Sequence, residues 1–238
     1  MFELIAFDAD DTLWHNESTF QATEAQLVEM LAPYQPDELV RARLLATEVR
    51  NLEHFGYGVK GFTLSMIETA IELSNGEIRG SEIHRIIEWG RQMLAAPVEL
   101  LDGVRDTIKT LAGSYRLMLL TKGDLFDQEQ KLARSGIGEH FSAVEIVSEK
   151  NVDTYRRIIS RAGVEPRQFL MVGNSLKSDV LPALDAGASA VHIPYYTTWA
   201  HERVDEAALA GRSFARLANI SELVPLLAGA ATVPAESP

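Results

Sequence analysis

The sequence predicts an α/β protein, with a parallel-sheet core interrupted near its start by a block of helices. Three observations predict it. A short apolar run from Glu3 to Ala9 ends in acids, the pattern of a buried strand with carboxylates beyond it. Residues 18–94 then carry a helical pattern with few strand candidates. After Pro97 the rhythm changes to alternating helix and strand, the signature of βα units with strands buried on both faces.

The elements follow in order. Helices are predicted over 19–31, 36–53, 62–73 and 81–94, punctuated by Pro33, the glycine-rich 56–61 and Asn75-Gly76. Four consecutive helices with short connections suggest a small bundle. Beyond Pro97, helices are expected at 101–112, 127–135, 152–162 and 178–186, closed by Gly113, Gly136, Gly163 and Gly187. Strands are expected at 116–121, 143–147, 169–172 and 188–193. The resulting architecture is a Rossmann-like catalytic core from residues 1–16 and 98–228, with a helical cap domain at 17–97. Residues 229–238 read as a disordered tail. Ligands of open α/β sheets bind beyond the carboxyl ends of the strands. The insert leaves the chain at that end, so it is expected to cover the site.

Composition narrows the function. The 238 residues include no cysteine, which excludes disulfides, thiolate metal sites and a cysteine nucleophile. The formal net charge is −12, from 34 acidic and 22 basic residues, which argues against general binding to nucleic acid or an anionic membrane. No basic segment followed by an apolar run opens the chain, and no stretch approaches a membrane span. A cytoplasmic protein is expected. In so acidic a chain, a phosphate site must be locally positive.

Candidate residues line up at strand ends, and each has two readings. Asp8 and Asp10 are carboxylates two residues apart beyond a buried strand. They are costly there unless a cation or donors compensate them. One could then ligate a metal and attack while the other moves protons. The alternative is a solvated acidic turn. Thr121, followed by Lys122 and Gly123, offers a hydroxyl and free backbone N–H groups as a phosphate seat, or is an ordinary turn. Lys150, at the start of a helix, is either a fixed cation for a phosphate oxygen and the nucleophile or a solvated lysine. Asn174 and Asp179 offer oxygen ligands suited to magnesium, or act as a helix cap and a helix acid. Singly these signals are weak. Their recurrence at the ends of different strands carries the reading.

With these residues in place, the sequence resembles the haloacid dehalogenase-like hydrolase superfamily. The first family motif, an apolar strand then DxDx[TV], matches Phe7 to Thr12. The second, a Ser or Thr ending a strand, matches Thr121. The third, a lysine before a helix, matches Lys150. The fourth, GDxxxxD, matches Gly173 to Asp179 with Asn174 in place of the usual Asp. The insert position is similar to that of the helical-cap subclass. The resemblance implies that Asp8 attacks phosphorus and that Asp10 protonates the leaving oxygen and later activates water. It implies that Thr121 and Lys150 hold the phosphoryl oxygens. Mg2+ would be bound by Asp8, the Asp10 backbone carbonyl, Asn174 and Asp179. Asn174 keeps an oxygen ligand but adds no negative charge, so weaker metal affinity is expected. An acid at position 10 favours phosphate esters, since the family's dehalogenases lack it.

The expected activity is magnesium-dependent hydrolysis of a small phosphorylated metabolite through a phospho-aspartate. A phosphomutase of the same fold and a catalytically weak binding protein are the alternatives. A receiver-like signalling domain is disfavoured by the large insert. Within the insert, Tyr57 and Lys60 sit in a glycine-rich segment, 54–61, that reads either as a substrate loop or as a helix connection. Residues 195–201 are expected to pack and His15 to lie on the surface. The sequence names neither the substrate nor the oligomeric state.

Overall fold

The computed structural model describes residues 2–229, and it divides the chain into two compact units. Part of the expected tail, residues 230–238, lies outside the described residues.

The first unit comprises residues 2–15, 98–122 and 130–229. Its strands are β1 (Leu4–Phe7), β2 (Arg116–Lys122), β3 (Ala143–Val147), β4 (Phe169–Gly173), β5 (Ser189–His192) and β6 (Ala215–Arg216). They form one sheet in the order β3-β2-β1-β4-β5-β6, with every pairing parallel. β1 is central, flanked by β2 and β4, so the residues that follow these three strands emerge side by side. Alternation of side chains sends Ile5, Phe7, Leu117, Leu119, Leu170 and Val172 into one apolar cluster. It sends Leu4, Ala6, Met118, Leu120, Phe169 and Met171 into another. Both faces of the sheet are therefore buried, which is why its strands read as unbroken apolar runs.

The second unit comprises residues 16–97 and 123–129. Its helices are α1 (Glu17–Leu31), α2 (Asp37–Phe55), α3 (Val59–Leu73) and α4 (Gly80–Ala95). Leu27, Leu31, Val40, Leu44, Met66, Ala70, Ile86 and Trp89 recur at helical spacing and build a separate core. The remaining helices are α5 (Val104–Ala112), α6 (Leu125–Ser135), α7 (Val152–Ala162), α8 (Leu181–Asp185) and α9 (Leu223–Leu227). No helix among the described residues is long and apolar enough to cross a membrane.

Three sequence expectations are corrected. The helix expected from residue 62 begins at Val59, so Lys60 lies in its first turn rather than in a loop. Gly58, with φ of 107°, makes the reversal that admits this earlier start. The helix expected over 178–186 is instead a turn of π-helix (Leu176–Val180) followed by α8. Pro182 lacks a backbone donor, and Ser175 caps the new start by accepting from the Ser178 N–H. β6 was not expected, because two residues carry no period.

Within the second unit, Glu48 on α2 is an ionisable group under strain. Burial pushes its carboxyl up to about 8, and Glu24 and Glu17 on α1 add to the rise. A glutamate with a raised native pKa stabilises the fold fully below its unfolded value of 4.5, and that contribution is lost as pH rises through the native value. Glu48→Gln is therefore expected to leave thermal stability unchanged at pH 4. At pH 9 it should raise stability by about 2 kcal/mol. Melting curves at the two pH values check this, and an equal shift at both would contradict it.

Candidate active site

The acids after β1 are held by a tight turn. The N–H groups of Leu13 and Trp14 converge on the Ala9 carbonyl, and Asp11 takes a left-handed conformation with φ of 61°. Aspartate is one of the few residues that tolerate this. Trp14 anchors the turn in the core at 1% exposure. Its indole Nε1 donates to Asp10 Oδ1 at 2.7 Å, and Lys131 Nζ on α6 donates to the same oxygen at 3.0 Å.

Asp8 is buried, and its backbone N–H donates to the Val172 carbonyl of β4 at 2.9 Å. Lys150 Nζ donates to Asp8 Oδ1 and, at 2.7 Å, to Asp179 Oδ1. The ammonium thus joins the residue after β1 to the one on the π-helical turn after β4. Burial raises Asp8 above the usual carboxylate range, with Lys150 opposing the rise and Asp179 and Asp10 adding to it. Burial also works against the charge on Lys150, but Asp179 and Asp8 outweigh it and hold the lysine protonated. Two buried acids and one buried base are tolerated because each is hydrogen-bonded. Asp179 Oδ2 accepts from the Ser175 N–H at 2.9 Å. A Cβ on Gly173 would lie 2.2 Å from that oxygen, so only glycine ends β4 with Asp179 in this place.

Thr12 ties the first turn to the loop after β4. Its hydroxyl lies 3.2 Å from Asp8 Oδ2 and 3.2 Å from Asn174 Oδ1, and it accepts from the Asn174 N–H at 3.0 Å. His192 Nε2 binds the Asn174 carbonyl at 2.9 Å, and burial lowers the His192 pKa and keeps the ring neutral.

Among the described residues, no group of three or more His, Cys, Asp or Glu side chains is arranged to hold a metal ion. The expected metal set differs from such a triad: the Asp10 carboxylate is engaged by Trp14 and Lys131, leaving two carboxylates and an amide. The donor chemistry still fits a hard divalent cation. Asp8 Oδ2 and Asn174 Oδ1 face one hydroxyl that has a single proton to give, so at any moment one of the two lacks that bond.

The other candidates are placed differently. Thr121 is buried one residue before the end of β2, which runs on to Lys122. Its hydroxyl makes a long bond to the Lys122 carbonyl at 3.4 Å. Lys122 turns to internal partners: Glu202 Oε1 at 2.5 Å, Ser178 Oγ at 2.8 Å and Glu149 at 3.7 Å. Gly123, Tyr57 and Lys60 belong to the second unit. There Lys60 Nζ pairs with both oxygens of Asp124, at 2.9 and 3.0 Å, and lies over the Phe126 ring. The pairing lowers the Asp124 pKa against the opposing effect of burial. His15 is exposed, with a 2.7 Å bond to the buried Tyr195.

Sequence reasoning missed Trp14, Lys131 and Glu202. Trp14 was findable, four residues after Asp10 in the same turn. Lys131 and Glu202 carry no local signal, because each reaches its partner only through the fold.

Comparison with known proteins gives the geometry a family. A crystal structure of a haloacid dehalogenase-like family hydrolase from Xanthomonas campestris superposes with a TM-score of 0.83 at 40% identity. It covers 96% of this chain and 91% of that one. The glyceraldehyde 3-phosphate phosphatase of Methanothermobacter thermautotrophicus is 37% identical over 82 residues, 32% of this chain and 36% of that enzyme. The 5-amino-6-(5-phospho-D-ribitylamino)uracil phosphatase of Escherichia coli is 23% identical over 235 residues, covering 92% of this chain and 95% of that enzyme. The first curated relatives are thus matched over little more than a third of their own length. The match to the haloacid dehalogenase-like hydrolase family itself runs from residue 2 to 187, from β1 through α8 and so across Asp8, Thr121, Lys150 and Asp179, and the chain belongs to that family of hydrolases.

Proposed function

We propose that this hydrolase is a phosphatase that cleaves a small phosphomonoester through a phospho-aspartate on Asp8. The observation that carries the reading is Lys150 bridging Asp8 and Asp179, beside a second acid, Asp10, aimed by Trp14 and Lys131. The relatives from Methanothermobacter thermautotrophicus and Escherichia coli are both phosphatases by name, which supports the same reaction.

The chemistry assigned to each residue follows. A carboxylate oxygen of Asp8 attacks phosphorus, and the bond to the ester oxygen breaks. Asp10 gives its proton to that leaving oxygen, which departs as an alcohol. Water then attacks phosphorus while Asp10 takes its proton, the bond to Asp8 breaks, and phosphate leaves. Lys150 and the hydroxyl of Thr121 hold the phosphoryl oxygens in line. Magnesium, bound by Asp8, Asp179, Asn174 and the Asp10 carbonyl, would supply compensation for the charge on those oxygens. Asp10 is the residue that separates this chemistry from dehalogenation, which needs no proton donor for its leaving group.

A panel of phosphorylated metabolites tests the reading, assayed for released phosphate with magnesium and again after exhaustive chelation. Magnesium-dependent hydrolysis of one or a few small monoesters is the expected result. No release from any of them, or full turnover after chelation, would contradict it.

A further inference from the structure

We propose that Glu202 is a positioning residue for this active site, one that ties the end of β2 to the turn following β4 and, through Lys122, to the loop following β3. The proposal rests on the phosphatase reading for its kinetic consequence and on geometry for everything else.

Glu202 closes a short 3-10 turn, Ala200–Glu202, far along the chain from every family motif. Its side chain is 11% exposed. Both carboxylate oxygens are fully engaged in the first unit. Oε1 accepts from Lys122 Nζ at 2.5 Å. Oε2 accepts from Ser175 Oγ and Ser178 Oγ, each at 2.6 Å. Lys122 directly follows Thr121 at the end of β2, and it also donates to Ser178 and lies 3.7 Å from Glu149. Glu149 is the neighbour of Lys150 and accepts from its backbone N–H at 3.0 Å. Ser175 and Ser178 bracket the π-helical turn that carries Asp179, and the Ser175 N–H holds Asp179 Oδ2. One carboxylate therefore reaches the segments that present Thr121 and Asp179 directly, and the segment that presents Lys150 through Lys122.

A second tether sits beside the first. Lys177 Nζ donates to the His201 carbonyl at 2.7 Å, so the turn that bears Glu202 is fastened to the same loop from both sides.

The arrangement explains two facts the family motifs leave open. A π-helical turn has fewer favourable contacts than an α-helical one and persists where surrounding bonds fix it. Here those bonds come from Glu202 through two serine hydroxyls. Lys122, next to the phosphate-binding threonine, is a largely buried cation, and Glu202 supplies the charge that pairs with it. Charge-assisted hydrogen bonds in a nearly dry site are short and directional, so they fix position as well as contribute stability. Small displacements at a reacting centre cost large factors in rate.

The test compares wild type, Glu202→Ala and Glu202→Gln by amide hydrogen exchange and by steady-state kinetics. Glu202→Gln keeps an acceptor for the serines and loses the pairing with Lys122, so it serves if the alanine variant is poorly folded. Exchange across residues 174–180 is expected to quicken by about tenfold in Glu202→Ala and less in Glu202→Gln, with α1–α4 unchanged. On the best substrate, kcat is expected to fall by about tenfold with KM within twofold. Unchanged exchange at 174–180 would overturn the proposal. So would acceleration spread evenly over the chain, or an unchanged kcat despite local loosening. If wild type hydrolyses no phosphate ester, the phosphatase reading fails, while the exchange data still decide the positioning claim.

Discussion

Asp8→Asn is expected to lower kcat by at least about 10⁴-fold while the fold survives. The amide has no anionic oxygen, so the phosphoryl group has nothing to bond to in the first step. The local structure should persist, because Lys150 still has Asp179 and can donate to the amide oxygen, while the amide NH2 faces the Thr12 hydroxyl, which can accept. Asp8→Glu separates nucleophilicity from position. It restores the charge but moves the oxygens outward by one carbon–carbon bond. A displacement of that size costs about 10²-fold or more in rate. Steady-state kinetics with circular dichroism on both variants is the check. A glutamate variant as fast as wild type would mean that the reacting group is not Asp8.

Lys150→Met is expected to damage activity and stability together. Asp8 and Asp179 share this one ammonium, which is 1% exposed. Removing it leaves two like charges in a buried place without their cation. Breaking a buried ion pair in this way costs about 3–5 kcal/mol. The rate should fall by about 10³-fold, since a fixed cation aimed at the reacting oxygens is lost. Lys150→Arg distinguishes the two effects. The charge remains, so most of the stability should return. The planar guanidinium cannot reproduce a point ammonium between two carboxylates, so most of the rate should not. Denaturant unfolding of the three proteins, with kinetics on the same preparations, measures both. Full activity in Lys150→Met would remove the lysine from the mechanism.

The core and the placement of the candidate residues at the strand ends were legible because both are written locally. The strands at 116–122 and 169–173 are apolar on both faces, and a parallel sheet buried on both sides demands that. Asp8, Asp10 and Lys150 are polar residues placed where such strands end. What connects them was not legible. Lys131 meets Asp10 across 121 positions, and Glu202 meets Lys122 across 80. No period or turn signal spans such distances. Lys122 and Lys60 show the limit from the other side. Each is a cation in a glycine-containing segment, the one beside Gly123 reading as part of a phosphate seat and the one in 54–61 as part of a substrate loop or a helix connection, and each has an acidic partner in its own unit, Glu202 and Asp124 respectively. A sequence shows a charge and not what neutralises it. The π-helical turn at 176–180 was hidden for a similar reason, since side-chain hydroxyls and a distant glutamate maintain it rather than helix propensity.

In the proposed mechanism Asp8 forms a bond to phosphorus and water breaks that same bond. A single-turnover reaction in oxygen-18 water, quenched with acid over a time course, tests it through mass spectrometry of the peptide containing Asp8. This peptide is expected to gain one phosphoryl group and then lose it, while the solvent oxygen appears in released phosphate and never on Asp8. A peptide that is unmodified at every time point during phosphate release, or one that accumulates solvent oxygen on Asp8, would contradict it.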